Sequence, residues 1–116
     1  MKGLVLPVLL GALLELTGLA AENPKVPWEK NPQRVGQALY RENCIVCHDI
    51  DTPQSKKLGP SFYRLFQQEK MPMSNAKPNR AYIKVRVKFG GPLMPAFRQR
   101  LKEREIDALI DYMASR

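Results

Sequence analysis

Cys44-Ile45-Val46-Cys47-His48 contains both cysteines and the only histidine of a 116-residue chain. Any chemistry that needs a thiol or an imidazole therefore passes through these five positions. The residues just before them read as a helix. Asn31-Pro32 gives a good N-cap followed by proline at the first helical position, where no hydrogen bond is lost. Val35, Ala38 and Leu39 then recur at helical spacing, with Gly36 and Tyr40 four apart on an adjoining face. A helix over 32–43 thus delivers the chain directly into Cys44.

Beyond His48 the pattern is irregular through Asp51-Thr52-Pro53 and Leu58-Gly59-Pro60. A short helix is expected from Ser61 to Gln68, where Phe62, Leu65 and Phe66 fall together, and Met71-Pro72-Met73 ends it. Two periods compete from Asn79 to Phe89. Ile83, Val85, Val87 and Phe89 alternate with Lys84, Arg86 and Lys88 as in a strand. Tyr82, Val85, Arg86 and Phe89 also fit a helix that stops at Gly90-Gly91. Periodicity alone favours the strand, but no second strand exists to pair with it, so consistency along the chain favours the helix. The last element is clear: Ile106, Leu109, Ile110 and Met113 form one stripe behind an acidic first turn, although Lys102 is a poor N-cap. The expected fold class is all-α, with about four helices.

At this length the chain is a single domain with a thin core. A second catalytic domain and a multi-span membrane protein are excluded, and one histidine excludes any site that needs two imidazoles from the same chain. The N-terminus differs from the rest. Lys2, an apolar run from Leu4 to Leu14 and the small residues Gly18-Leu19-Ala20-Ala21 read as a secretory signal peptide over 1–20. The run is shorter than the ~20 apolar residues a spanning helix needs. Glu15 also argues against an uncleaved anchor, the competing reading. Residues 21–31 read as an extended, proline-rich arm, and 32–116 as the folded domain. The expected localisation is periplasmic, by export, with membrane anchoring only if the N-terminal segment is retained.

Cys-X-X-Cys-His is the signature of c-type haem attachment. Two thiols three residues apart can each form a thioether to one of two vinyl groups on the same porphyrin edge, and the following imidazole then lies over the iron as proximal ligand. Three other readings are weaker. A thioredoxin-like pair opens a helix after a strand, whereas this pair follows a helix. Zinc would need a fourth N or S ligand, and the chain has no further Cys or His. The plainest alternative is a structural disulfide beside an incidental His. Given haem, the absence of a second His makes a Met thioether the candidate sixth ligand. Met113 lies on the apolar stripe of the last helix, where Met is usually core filler. Met71, Met73 and Met94 sit in proline-flanked loops. The two prolines and the Phe of Gly91-Pro92-Leu93-Met94-Pro95-Ala96-Phe97 favour Met94 over the other two.

Cys44-Ile-Val-Cys-His48, Leu58-Gly59-Pro60, Gly90-Gly-Pro-Leu-Met94-Pro-Ala-Phe97 and Glu105-Ile-Asp-Ala-Leu-Ile-Asp-Tyr112-Met together resemble a class I, mono-haem cytochrome c over residues 32 to 115. The resemblance implies a small helical fold wrapped around one covalently attached haem c. It further implies thioethers at Cys44 and Cys47, axial ligands His48 and Met94, and a Pro60 carbonyl that accepts the His48 ring N–H. It places Gly36 and Tyr40 against Leu109 and Tyr112, and makes 79–89 helical. Met71-Pro72 and the uncapped Lys102 depart from the family pattern.

The implied function is one-electron carriage in a periplasmic or respiratory chain rather than enzymatic turnover. Two alternatives stay open: a haem enzyme or sensor with an open distal position, such as a peroxidase or gas binder, and a fixed cytochrome subunit of a membrane dehydrogenase or oxidase complex. The formal charge is +8 and the surplus is local: residues 56–100 carry eleven basic groups and one acidic group. Such a zone suits docking to redox proteins with acidic surfaces, a membrane oxidase subunit or a periplasmic dehydrogenase. No nucleic-acid partner is expected of an exported chain.

Overall fold

The computed structural model describes residues 31–116. The expected signal peptide, and the expected arm apart from Asn31, lie outside the described residues. Helix α1 spans Pro32–Asn43, a single 3-10 turn spans Leu65–Gln67, α2 spans Arg80–Phe89 and α3 spans Glu103–Ala114. No strand occurs among the described residues.

The sequence signals act where they stand. Asn31 Oδ1 accepts the Arg34 N–H at 3.1 Å, and Pro32 opens α1 without losing a bond. Asn79 caps α2 in the same way, accepting the Tyr82 N–H at 2.8 Å. Gly90 ends α2 at φ 70°, its N–H returning to the Arg86 carbonyl at 2.8 Å. Lys102 has no side-chain acceptor to offer α3. Instead the Glu105 carboxylate reaches back to the Lys102 N–H at 2.6 Å, which supplies one half of a capping box.

The conflict over 79–89 resolves as a helix with two apolar faces. Ile83 and Val87, four apart, are buried, while Val85 and Phe89 stand out at 56% and 55% exposure. Alternation there records inward and outward faces of one helix, not the two faces of a strand. The helix expected from Ser61 to Gln68 contracts to the 3-10 turn. Ser61 Oγ accepts the Tyr63 N–H at 3.0 Å and competes for the backbone, Arg64 adopts φ 47° and Gln68 is extended. Three α-helices and one 3-10 turn therefore stand where about four helices were expected.

The core gathers Tyr40, Leu65, Ile83, Val87, Phe97, Leu101, Ile106, Leu109, Ile110 and Met113. Helix α1 packs chiefly on α3. The approach is closest at Gly36, where an added Cβ would overlap the Ala108 carbonyl oxygen and stand 2.6 Å from Tyr112 Cβ. Tyr40 and Tyr112 meet at 5.8 Å between ring centroids. The expected crossing thus holds at Tyr112, with Ala108 as the residue against the glycine. Gly36→Ala should lower stability by about 1–3 kcal/mol, the usual effect of overfilling a packed contact. Denaturant unfolding checks this through a lower midpoint at unchanged slope.

Candidate haem site

The carbonyl of Tyr40, in the last turns of α1, accepts the N–H groups of both Cys44 and Ile45, at 2.8 and 3.0 Å. The Cys44 carbonyl then accepts from Cys47 and His48 at 3.1 and 2.9 Å, so the chain makes one further helix-like turn. Both thiols and the imidazole belong to that turn. Neither cysteine is in a disulfide, and burial together with neighbouring Cys47 pushes the Cys44 thiol up to about 11.

His48 is fixed on several sides. Its Nδ1 lies 2.8 Å from the Pro60 carbonyl oxygen. A carbonyl only accepts, so Nδ1 carries the proton and Nε2 keeps its lone pair. Phe62 stacks on the ring at 4.2 Å between centroids and 21° between planes. Gly59 lies against the ring, where a Cβ would stand 2.6 Å from Nδ1 and 2.8 Å from Nε2, and its N–H bonds the Cys47 carbonyl at 2.7 Å. His48 is only 8% exposed, and burial lowers its pKa, which favours the neutral imidazole that a metal ligand must be. Pro60 therefore occupies the place expected of it.

Three residues to which the sequence reading gave no part in the site complete this unit. The Tyr40 hydroxyl donates to the His48 carbonyl at 2.8 Å. Lys57 Nζ donates to the Ile45 carbonyl at 2.6 Å and to that of His48 at 3.3 Å, and pairs with Asp49 at 3.0 Å. The lysine ammonium thereby occupies the C-terminal end of the attachment turn, where exposed carbonyls favour a cation. Ser61 Oγ donates to Asp49 and Thr52 carbonyls, closing the loop that carries Pro60. Gly59 before a proline could have been flagged as a close approach. Lys57 binds backbone oxygens, so no side-chain pattern announces it.

Of the methionines, Met73 is 85% exposed and Met113 is buried core on α3. Met94 and Met71 are both half-buried against the core. Met94 sits in a loop pinned back on α2: its carbonyl accepts from Gly91 at 2.9 Å, and the Phe97 and Arg98 N–H groups bond Val87 and Lys88 carbonyls at 3.0 and 3.2 Å. Met71 closes a turn of its own, donating to Ala76 at 2.8 Å. The fold thus joins Cys44, Cys47, His48 and Pro60 in one unit and holds Met94 in a second.

Two unpaired thiols on one turn, followed by a neutral imidazole with Nε2 free, form the donor set that a c-type haem requires. Residues 31–113 match the family model described as cytochrome C oxidase, cbb3-type, subunit III. The chain belongs to the cytochrome c family. No curated protein matches it. As a mono-haem c-type cytochrome it would hold the group through Cys44 and Cys47, each adding its S–H across a vinyl C=C so that no atom is lost. His48 Nε2 would bind the iron, and the bond from Nδ1–H to Pro60 would fix the ring's tautomer and strengthen its basicity.

Proposed function

We propose that the protein carries single electrons, using one haem c held by Cys44 and Cys47 with His48 and Met94 as axial ligands. The observation that carries this reading is the 2.8 Å bond between His48 Nδ1 and the Pro60 carbonyl, which presents Nε2 as a ligand on the Cys-X-X-Cys turn. When bound, haem supplies an iron that changes oxidation state by one electron, while the protein sets ligand identity and excludes water. The burial of His48 and the proline-restricted Met94 loop suit a site that keeps its ligands in both states rather than opening one to substrate. Turnover of a substrate is therefore not part of the proposal.

We place this activity in an exported, periplasmic setting, with the N-terminal segment either cleaved or retained as an anchor. Among the described residues no helix is long and apolar enough to cross a membrane. The partners are redox proteins with acidic docking faces, a membrane oxidase or a periplasmic dehydrogenase. The description of the matching family as an oxidase subunit favours a second form of the same reading, in which the chain is a fixed cytochrome subunit of a membrane complex. Recovery of the mature chain in the soluble fraction, without residues 1–20, supports the diffusible form, and co-purification with a membrane oxidase supports the fixed one.

The test is a redox titration of the purified pigment. A single one-electron transition, and no binding of carbon monoxide by the reduced protein at neutral pH, is the expected result. A carbon monoxide adduct formed at neutral pH would transfer the assignment to an open-site enzyme or gas sensor. Electron-transfer rates to the partner should fall as salt rises, because the basic zone acts through a field that is screened over about 8 Å at physiological ionic strength. Rates independent of ionic strength would remove the electrostatic part of the proposal.

A further inference from the structure

Helix α2 carries Arg80, Lys84 and Lys88 four residues apart on one face, and it contains no acidic residue. Helix α3 carries Glu103, Asp107 and Asp111 at the same spacing. The two rows meet in antiparallel register: Arg80 pairs with Asp111, Lys84 with Asp107 at 2.8 Å, and Lys88 with Glu103. Lys84 also reaches Glu103 at 3.0 Å, which joins the middle rung to the last. Like charges four apart disfavour a helix, so each row repels itself when alone. Arg80 opens α2 and Asp111 lies near the end of α3, where each helix dipole also disfavours the charge it meets. What that placement gains is attraction between the helices. The Lys84 ammonium, donating to Asp107 and Glu103, is held above the usual lysine range. Glu103, accepting from Lys88 and Lys84, is held below the usual carboxylate range, so these rungs stay charged.

The row lies between the two parts of the candidate site. Helix α3 packs chiefly on α1, whose end leads into Cys44, Cys47 and His48. Helix α2 carries the Met94 loop. The Val87 and Lys88 carbonyls accept the Phe97 and Arg98 N–H groups at 3.0 and 3.2 Å, and at Gly90 an added Cβ would overlap the Met94 carbonyl oxygen. Lys88 thus holds α3 through its side chain and the loop through its backbone. Beside the buried Ile83 and Val87, the charged row is what fastens the Met94 part to the His48 part. A lone exposed ion pair contributes little, whereas pairs that share partners in a connected row reinforce one another.

We infer that Arg80, Lys84 and Lys88 against Glu103, Asp107 and Asp111 form an electrostatic latch that positions the Met94 loop and sets how often it swings away from the haem iron. All six are positioning residues, acting through α2 rather than on the ligand itself. The paired side chains are partly exposed, so dissolved salt reaches them and weakens the latch. The inference rests on the proposed Met94 ligation for its effect on the iron, but not for the hold of α3 on α2.

The test uses the isotopically labelled holoprotein and two measurements: amide hydrogen exchange, and the rate at which added imidazole displaces the thioether from the ferric form, read by loss of the near-infrared sulfur-to-iron band. Asp107→Lys should speed exchange over 83–90 and imidazole entry each about fivefold or more, while exchange in α1 stays slow. Glu42→Lys, the same change of charge on α1, should alter both less than about twofold. The double variant Lys84→Glu with Asp107→Lys should recover at least about half of the change on a logarithmic scale. Raising salt from about 0.05 M to about 1 M, where screening acts within about 3 Å, should speed both processes in the unaltered protein and slow them in Asp107→Lys, so that the rates converge. Parental rates in Asp107→Lys, equal effects in Glu42→Lys, no recovery in the double variant, or no convergence with salt would each overturn the latch. Faster exchange with parental imidazole entry would overturn its hold on the loop. A band absent from the unaltered protein defeats the Met94 reading alone, because exchange over 83–90 still tests the latch.

Discussion

Gly59→Ala should give a protein that loses most of its low-spin, histidine-ligated pigment and unfolds well below the parent. The glycine backbone lies flat against the His48 imidazole, and a methyl group there would occupy the ring's own space. Either the ring must leave the Pro60 carbonyl, or residues 58–60 must move away and take Pro60 with them. The first outcome breaks the bond that fixes the tautomer, and loss of such a partner typically weakens metal affinity 10–100-fold, roughly. The second breaks the Gly59–Cys47 bond and loosens the loop closed by Lys57 and Ser61. Overfilling and a lost hydrogen bond together amount to about 2–4 kcal/mol of stability. Absorption spectra and thermal unfolding check both parts. A Gly59→Ala protein with the parental spectrum and midpoint would show that the ring is not held as described.

Met94→Ala should abolish the weak near-infrared sulfur-to-iron band, admit carbon monoxide to the reduced protein, and lower the reduction potential. The drop should be on the order of 0.1 V or more, within the ~0.8 V range over which axial ligands set haem potentials. Met71→Ala should leave all three properties unchanged. The comparison matters because both side chains are half-buried against the core. What separates them is the frame. The Met94 loop is bonded to α2 at two backbone positions, is closed on itself by the Gly91–Met94 bond and carries prolines at 92 and 95, so its backbone has little freedom to withdraw. Met71 belongs to a small turn closed on itself through Ala76 and Ser74. Loss of the band in Met71→Ala, and its retention in Met94→Ala, would transfer the ligand assignment.

The parts of this molecule that could be read from sequence are those written in local rules. The 44–48 spacing, Asn31-Pro32, Asn79 and Gly90-Gly91 each act over a few residues, and each stands in the structure where its chemistry directs. The segment 79–89 was ambiguous because α2 has two apolar faces, and a helix with two such faces produces the alternation of a strand. The second face belongs to the surface, so core formation alone does not explain it. The helix expected from Ser61 failed for a related reason: apolar spacing at Phe62, Leu65 and Phe66 was present, but the Ser61 hydroxyl and the left-handed Arg64 redirect the backbone. The Pro60 carbonyl could be anticipated only by resemblance, and Lys57 not at all, since both act through backbone oxygens that carry no signature. Charge was legible as a total along 56–100. Its division into cations paired with α3 and cations outside that row required the fold.

The most direct measurement is the intact mass of protein purified from a host equipped to mature c-type pigments, taken together with a thiol titration under denaturing conditions. The expected result is a coloured chain heavier by one haem, with no titratable thiol, and with the added mass carried on the peptide that contains Cys44 and Cys47. A folded, colourless chain that shows two free thiols, or a disulfide between them, would contradict it.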